Sequence, residues 1–203
     1  DPANTIYTCP ISRLSSLHVD AEKFLIRENI HMLIEKDLEK IRLLGERNEQ
    51  QNFKFRSFLK YTDMASSEID SMVHEIYDHV RREIDCSECA NCCKQFTPLL
   101  DEHDIGRFIK KLDMDAAEFK SRYLEEAKAD DDKETYQFRE LPCPFLLNNR
   151  CSNYHNRPRQ CRAYPYLHKK DFTSRLLSVI YNYSVCPIVF NVFERLKNNF
   201  RRY

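Results

Sequence analysis

The stretch that most constrains this chain is CSECANCC, residues 86–93, which places four cysteines in eight positions. The chain has 203 residues and nine cysteines in all. Repeated two-residue gaps bring several thiols within reach of one small ion or cluster, whereas adjacent Cys92 and Cys93 cannot easily form a disulfide with each other. A purely disulfide framework would also leave one thiol over. The spacing therefore predicts metal binding in a reducing compartment.

Composition excludes several classes of function. Lys+Arg 32 and Asp+Glu 32 give a formal net charge of 0, so the chain lacks the excess positive charge that non-specific nucleic-acid binding requires. No run of apolar residues approaches the roughly 18 that a membrane span needs, and residues 1–30 carry no secretory pattern. The two glycines, Gly45 and Gly106, lie in no phosphate-binding motif. We expect a cytoplasmic protein without nucleic acid or membrane as partner, and without a conventional nucleotide loop.

Apolar residues that recur at three- and four-residue steps predict several helices. These helices fall at about 20–44, at 66–84, after the capping residue Asp101, at about 115–126, and from Pro187 onward. The predicted fold class is mainly α with a small β-hairpin, in which an irregular cysteine-rich metal-binding lobe packs on helices. We divide the chain into an N-terminal helical extension at 1–84 and a cysteine-cluster metal-binding domain at 85–203. The apolar stripes of the extension most simply face a core, and an unknown protein partner is the alternative occupant.

Three short segments have other patterns. YQF, residues 136–138, alternates as a strand does, and LLSVIYNY, residues 176–183, is interpreted as a further strand. FLLNNRC, residues 145–151, predicts a small hairpin, because Asn148 and Asn149 tolerate positive φ. KADDDKE, residues 128–134, is expected to be a solvated loop, since it lacks the alternating ligands and glycine of a calcium loop.

With Cys9 set aside, the cysteines number eight, which is two sets of four. Four thiolates are a common ligand set for structural zinc and for iron-sulfur clusters. On an extended backbone Cys92 and Cys93 would point to opposite sides, so they would serve different centres unless one of them only contacts a ligand. The candidate metal ligands are Cys86, Cys89, Cys92, Cys93, Cys143, Cys151, Cys161 and Cys186.

The spacing leaves the metal open. Zinc ribbons usually present two C-x2-C knuckles, and here only the first half of the pattern looks like one. Cys86, Cys89 and Cys92 reproduce the C-x2-C-x2-C triad of bacterial ferredoxins, whose remaining cysteine precedes a proline. Cys143 and Cys186 each precede a proline. An iron-sulfur cluster is therefore the favoured cofactor, and zinc is the alternative.

A basic segment, RCSNYHNRPRQCRAYPY at residues 150–166, interleaves arginines with two of the cysteines. Four thiolates around a divalent ion leave a net negative charge that neighbouring donors must offset. Arg157 and Arg162 are candidates for that role or for binding an anion, and an ordinary surface loop with salt bridges is the alternative. We interpret His155 and His168 as neighbours of the site and not as ligands.

The order of these motifs resembles a known family. CSECANCC, then CPFLLNNRCSNYHNRPRQCRAYPY, then Cys186-Pro187 is similar to the bacterial and archaeal CxxCxxCC family, which is described as chelating zinc or iron. The resemblance implies that the eight cysteines are metal ligands. It also implies that Tyr154, Arg157, Pro158, Arg162 and Pro165 are accompanying motif positions. Members commonly have a glycine within the first cluster or before the residue at Cys151, where this chain has Ala90 and Arg150.

The same family includes flagellin lysine methylases, which resemble this chain in the cysteine pattern and use S-adenosylmethionine. Three hypotheses follow. The first is an iron-sulfur protein in redox, electron-transfer or metal-handling work. The second is a methylase-like or redox enzyme, with a pocket beside the cluster that holds a base such as Tyr154, Tyr164 or His155. The third is a structural zinc-binding interaction module, with fully buried sulfurs.

Overall fold

The computed structural model describes residues 33–127 and 135–200. Cys9, the first part of the helix predicted at about 20–44, and the acidic stretch 128–134 lie outside these residues. Among the described residues no helix combines the length and the hydropathy that crossing a bilayer requires.

Helices make up most of the described chain, and the fold class predicted from the sequence is confirmed. The helices are α1 (Leu38–Tyr61), α2 (Ser66–Glu83), α3 (Cys86–Cys89), α4 (Cys92–Gln95), α5 (Glu102–Leu112), α6 (Ala116–Tyr123), α7 (Arg159–Ala163), α8 (Leu176–Tyr183) and α9 (Pro187–Asn199). Single 3-10 turns lie at Tyr154–Asn156 and Phe172–Arg175.

Five short strands form two antiparallel sheets. The strands are β1 (Leu99–Leu100), β2 (Leu124–Ala127), β3 (Thr135–Phe138), β4 (Leu146–Leu147) and β5 (Arg150–Cys151). The first sheet has the order β1-β3-β2, and β4 pairs with β5 in the second. The hairpin predicted at 145–151 is confirmed, because Asn148 and Asn149 both have positive φ, 49° and 60°, between β4 and β5.

The first helix does not begin where the sequence predicted. Residues 33–37 are not helical, and α1 begins at Leu38 and continues to Tyr61. The side chain of Asp37 caps this start by accepting hydrogen bonds from the N–H groups of Glu39 and Lys40. Glu35 is held across the chain by Asn191, which accepts from the Glu35 N–H at 3.0 Å and donates to the Glu35 carbonyl at 2.7 Å.

Two further predictions need correction. Residues 176–183 form helix α8 and no strand, because Leu176, Val179 and Tyr183 face the core at helical spacing. The helix predicted at about 115–126 ends at Tyr123, since the chain continues into β2 and pairs with β3. The strand predicted at 136–138, the helix at 66–84 and the helix that begins at Pro187 are confirmed.

A helical core and an aromatic core organise the molecule. The helical core joins α1 and α2 to α8 and α9, and it includes Val73, Ile76, Phe193 and Leu196. It contains residues from both sides of the boundary proposed at residue 84, and the division into two domains stays a prediction. The aromatic core is smaller and lies between α5, α6 and the first sheet, with Phe108, Phe119, Phe138 and Phe145 in mutual ring contact.

Candidate metal centre

Helix α2 leads directly into the first four cysteines. Asp85 caps α3, because its carboxylate accepts from the Ser87 N–H at 2.8 Å. Ala90 then adopts a left-handed conformation with φ 48°, which ends α3 and lets the chain turn into α4. The Asn91 side chain donates to the Val185 carbonyl at 2.8 Å. The cluster is therefore tied to the residue just before Cys186.

Cys92 and Cys93 do not lie on an extended backbone, and that assumption was wrong. They form the first turn of α4, and the Cys92 thiol hydrogen-bonds to the Cys93 sulfur. The short helices α3 and α4 are separated by the left-handed residue Ala90. Their thiols therefore do not point to alternating sides, as those of a strand would. The assignment of the two cysteines to different centres stays a prediction.

The remaining cysteines reach the cluster from four different segments. The Cys143 N–H donates to the Cys93 carbonyl at 2.8 Å, which fixes the second half of the motif against the first. The β4–β5 hairpin carries Cys151, because Leu146 pairs with Cys151. Cys161 lies in the short helix α7, and Cys186 is the N-cap residue of α9.

A cavity of about 740 Å³ lies where these segments meet. Arg157, Arg162, Tyr154 and Tyr164 line it as well as cysteines, whereas His155 and His168 do not. The ring of His168 instead packs near that of Tyr77, with centroids 6.3 Å apart. Of the eight candidate ligands, Cys89 and Cys186 do not line the cavity, and the six that do are Cys86, Cys92, Cys93, Cys143, Cys151 and Cys161.

The thiols fall into two electrostatic groups, which we name by their chain positions. In the Cys93 group, ionised Cys93 acts on the pKa values of Cys143, Cys151 and Cys161. In the Cys86 group, Cys86, Cys92 and Cys186 lie around Tyr164, whose hydroxyl is within hydrogen-bond reach of the Cys186 sulfur and donates to Asn182 Oδ1 at 2.8 Å. The pKa of Cys86 is raised mainly by burial and further by its neighbour Cys89, which we place in this second group. The groups also interact, because Cys93 acts on Cys86 and Cys161 acts on Cys92.

Burial keeps most of these thiols protonated in the metal-free protein. It raises the pKa of Cys143 to about 11 and the pKa values of Cys161 and Cys186 to about 12. Cys93 is the exception. The hydrogen bond from Cys92 lowers its pKa to about 7, and the same bond, with burial, raises the pKa of Cys92. One thiolate is thus stabilised at the point where both groups meet.

Arg157 is the arginine whose positive charge lowers the pKa values of several thiols. Its positive charge lowers the pKa values of Cys86, Cys151 and Cys161, against the larger effect of burial. Its guanidinium lies 3.8 Å from the centroid of the Tyr154 ring and donates to the Tyr154 carbonyl at 2.8 Å. The guanidinium is thus held in place by its own turn of chain.

The thiols are chemically suitable ligands for zinc or iron, but they are not arranged as a finished coordination site. All eight cysteines in the described part of the chain are free thiols, and thiolates are the ligands that both zinc and iron-sulfur clusters take. Within residues 33–127 and 135–200, no three His, Cys, Asp or Glu side chains already converge as a finished metal site. The fold therefore gathers six of the eight cysteines around one cavity, and ligation would require the sulfurs to move closer together.

Residues 85–178 match the CxxCxxCC family, whose description is "putative zinc- or iron-chelating domain". This chain carries a CxxCxxCC domain. The match begins one residue before Cys86 and includes seven of the eight candidate ligands, and Cys186 lies beyond its end. No curated protein and no solved structure matched the chain. The family supports metal binding by the CxxCxxCC domain.

Sequence reasoning missed several residues that shape this site. Asn91, a polar residue inside the cysteine cluster, was not identified from the sequence as the residue that ties the cluster to Val185. Phe96 and Tyr181 line the cavity, with ring centroids 5.7 Å apart. The pattern of residues 176–183 predicts a strand, and this wrong prediction hid the place of Tyr181 beside the cavity.

Proposed function

We propose that the CxxCxxCC domain holds iron-sulfur clusters through its eight cysteines and serves in electron transfer, redox sensing or metal handling. The observation that carries this proposal is that six of the eight free thiols, from four chain segments, line one cavity. Their grouping supports two centres of four thiols each. The Cys93 group comprises Cys93, Cys143, Cys151 and Cys161, and the Cys86 group comprises Cys86, Cys89, Cys92 and Cys186.

The open cavity beside the cysteines favours a cluster over a closed structural zinc site. A structural zinc is coordinated by four ligands and has no open position. Among the eight described cysteines only Cys186 is buried, and Cys86 is exposed. The cavity is open beside them. A centre in this position can exchange electrons or ligands with a partner, which a closed zinc staple does not do.

Arg157 supplies the charge that a thiolate cluster requires. Thiolates around a metal accumulate negative charge, and nearby donors stabilise it and tune the centre. The position of Arg157, which acts on cysteines of both groups, suits it to stabilise either centre. Its stacking on Tyr154 holds it there without a competing carboxylate.

A second candidate is a cluster-dependent enzyme, such as a protein-lysine methylase that uses S-adenosylmethionine. The observation that favours it is that the cavity is large enough for an organic ligand and is shared by the thiols, Tyr154 and Tyr164. Burial raises the pKa of Tyr164, so this tyrosine would act as a hydrogen-bond donor and not as a general base. His155, outside the cavity, has no position from which to act on a ligand bound inside it.

The deciding experiment is a visible absorption spectrum of protein purified without oxygen, together with metal analysis. A broad absorption that bleaches with dithionite, with iron and sulfide in the preparation, is the expected result. A colourless protein with stoichiometric zinc would contradict the iron-sulfur proposal and leave the zinc alternative.

Single substitutions then test the ligands. We expect Cys161→Ser to lose metal and to destabilise the surrounding lobe, because the free energy of ligation is also free energy of folding. Cys9→Ser is the matched control, since Cys9 stands outside the motif, and it should retain full metal content. Equal metal in both variants would remove Cys161 from the ligand set.

A further inference from the structure

The cavity offers more than thiols. Its volume of about 740 Å³ lies within the roughly 300–1,000 Å³ typical of sites for small organic molecules. A line of aromatic rings follows one side. Phe96 lies 5.7 Å from Tyr181 and 6.0 Å from Tyr164, and Tyr164 lies 6.1 Å from Tyr166, measured between ring centroids. This side can hold a flat apolar group by stacking.

Apart from the sulfurs, the described lining of the same cavity has an excess of positive charge. Four arginines line it and only one carboxylate, that of Asp85. Arg157 acts on the thiols, and Arg81 pairs with Asp78 at 2.8 Å. Arg82 and Arg162 form no ion pair with any described residue. Two guanidinium groups at the cavity wall are therefore left without a carboxylate partner in the described part of the chain.

Unpaired arginines beside aromatic rings fit one ligand chemistry. A guanidinium recognises a carboxylate, phosphate or sulfonate through two parallel N–H···O bonds. An apolar ring of the ligand binds best against the aromatic side chains, because water is then displaced from both surfaces. Neutral compounds would use only the rings, and inorganic anions only the arginines.

We infer that the cavity binds a small organic anion, with its flat ring system against Phe96, Tyr164 and Tyr181 and its acidic group on Arg82 and Arg162. This binding goes beyond metal ligation and does not depend on which metal the thiols hold. The bound anion would lie beside the metal-binding thiols, where it could act as substrate or effector.

The test uses the protein as purified, with its metal, and two matched fluorescent probes. The sulfonate 8-anilinonaphthalene-1-sulfonate supplies rings and an anion, and N-phenyl-1-naphthylamine supplies the same rings without charge. We expect one molecule of the sulfonate to bind per chain, at least ten-fold more tightly than the neutral probe. Equal affinity for the two probes, or several sulfonate molecules per chain, would overturn the inference.

Paired charge variants locate the site. The double variant Arg82→Gln and Arg162→Gln should weaken binding of the sulfonate at least ten-fold and leave the neutral probe unchanged. The control is Lys110→Gln with Lys111→Gln, which removes two exposed cations from the end of α5, outside the cavity. Equal losses in the two double variants would show a non-specific charge effect and overturn the inference.

Metal analysis of the same variants separates this inference from the metal-binding proposal. Full metal content with weakened sulfonate binding is the expected result. Loss of metal from the Arg82 and Arg162 variant would place these arginines on the thiolates and would also overturn the inference. Thermal unfolding of each variant shows that it is folded, and Phe96→Leu gives a second route to the site if the double variant does not fold.

Discussion

Ala90 occupies a backbone conformation that favours glycine. Its φ of 48° ends α3, and its side chain is buried between the two cysteine turns. A left-handed conformation costs a residue with a Cβ about 1–2 kcal/mol. The resemblance to the CxxCxxCC family had indicated a glycine within this cluster, and the structure supplies the physical reason for it.

We therefore expect Ala90→Gly to stabilise the protein by about 0.5–1 kcal/mol. Relief of strain exceeds the roughly 0.4–1 kcal/mol of unfolded-chain entropy that a glycine adds. Chemical denaturation measures the change, and metal content should stay as in the parent. Ala117→Gly in α6 is the control, and it should destabilise by about 0.5–1 kcal/mol. A loss of stability at both positions would contradict the strain argument.

The protonated thiols make metal binding depend on pH. Because burial raises the pKa values of Cys143, Cys161 and Cys186 to about 11–12, these groups carry protons at neutral pH. Each must lose its proton to become a ligand. Affinity therefore rises as pH rises, by about a factor of ten per pH unit for each proton released.

In the Cys93 group the pKa values of Cys143, Cys151 and Cys161 are all raised, so at least three protons leave on ligation. The affinity of the metal-free protein for zinc at this group should then increase by about 10⁶ between pH 6 and pH 8. Competition with a chromophoric chelator, corrected for its own protonation, measures this change. Zinc affinity that does not vary with pH would show that thiols are not the ligands.

At the scale of elements, α1 packs closely on the turn between α8 and α9. A Cβ built on Gly45 would overlap the Ser184 side chain, whereas a Cβ on Gly106 in α5 would meet no atom within 4 Å. Gly45 is therefore needed for close approach, and Gly106 is not. Both lie inside helices, where alanine is intrinsically preferred by about 1 kcal/mol.

This pair of glycines gives opposite expectations for one substitution. Gly45→Ala should destabilise the protein by about 1–2 kcal/mol, because overlap with Ser184 exceeds the gain in helix propensity. Gly106→Ala should stabilise it by about 0.5–1 kcal/mol. Urea denaturation measures both. A stabilised Gly45→Ala variant would mean that α1 does not pack on Ser184.

The elements differ in how far sequence could predict them. The β4–β5 hairpin was predictable, since its turn depends only on the local chemistry of Asn148 and Asn149. Helix α8 was not, because its β-branched and aromatic residues suit a strand, and only packing of Leu176, Val179 and Tyr183 against other helices selects the helix. The start of α1 has a local signal in its capping residue Asp37, which the apolar pattern upstream obscured. The bonds between Glu35 and Asn191, 156 positions away, have no local signal.

At the scale of the whole molecule, the thiols bridge the two cores. Cys186 belongs to the helical core, and Cys143 packs against the aromatic core. The aromatic core is the smaller of the two, with seven buried residues against 20 in the helical core. Metal ligation across this junction should therefore stabilise the aromatic core most.

Removal of the metal tests this dependence. We expect chelation under reducing conditions to accelerate amide exchange in β1, β2 and β3 at least ten-fold, while exchange in α1 and α9 changes less. Exchange followed by mass spectrometry distinguishes the elements. Uniform acceleration in both cores would contradict a bridging role and indicate a single cooperative unit.

The candidate site was predictable in its ligands and not in its surroundings. Cysteine spacing identified the thiols, since ligation chemistry depends on residue type. Their arrangement could not be read from the sequence, because it depends on the left-handed turn at Ala90, the bond between Cys143 and Cys93, and the tether from Asn91 to Val185. The cavity arises only from the meeting of these distant segments.

The position of Cys186 at the start of α9 also sets an order of assembly during synthesis. A chain is made from its N-terminus, so Cys93, Cys143, Cys151 and Cys161 all leave the ribosome before Cys186 does. One group of thiols can be complete while the other still lacks a member. Helix α9 packs on α1 and α2 in the helical core, and Lys197 bonds Asn52 across 145 positions. The Cys93 group is therefore synthesised in full before the helical core can form.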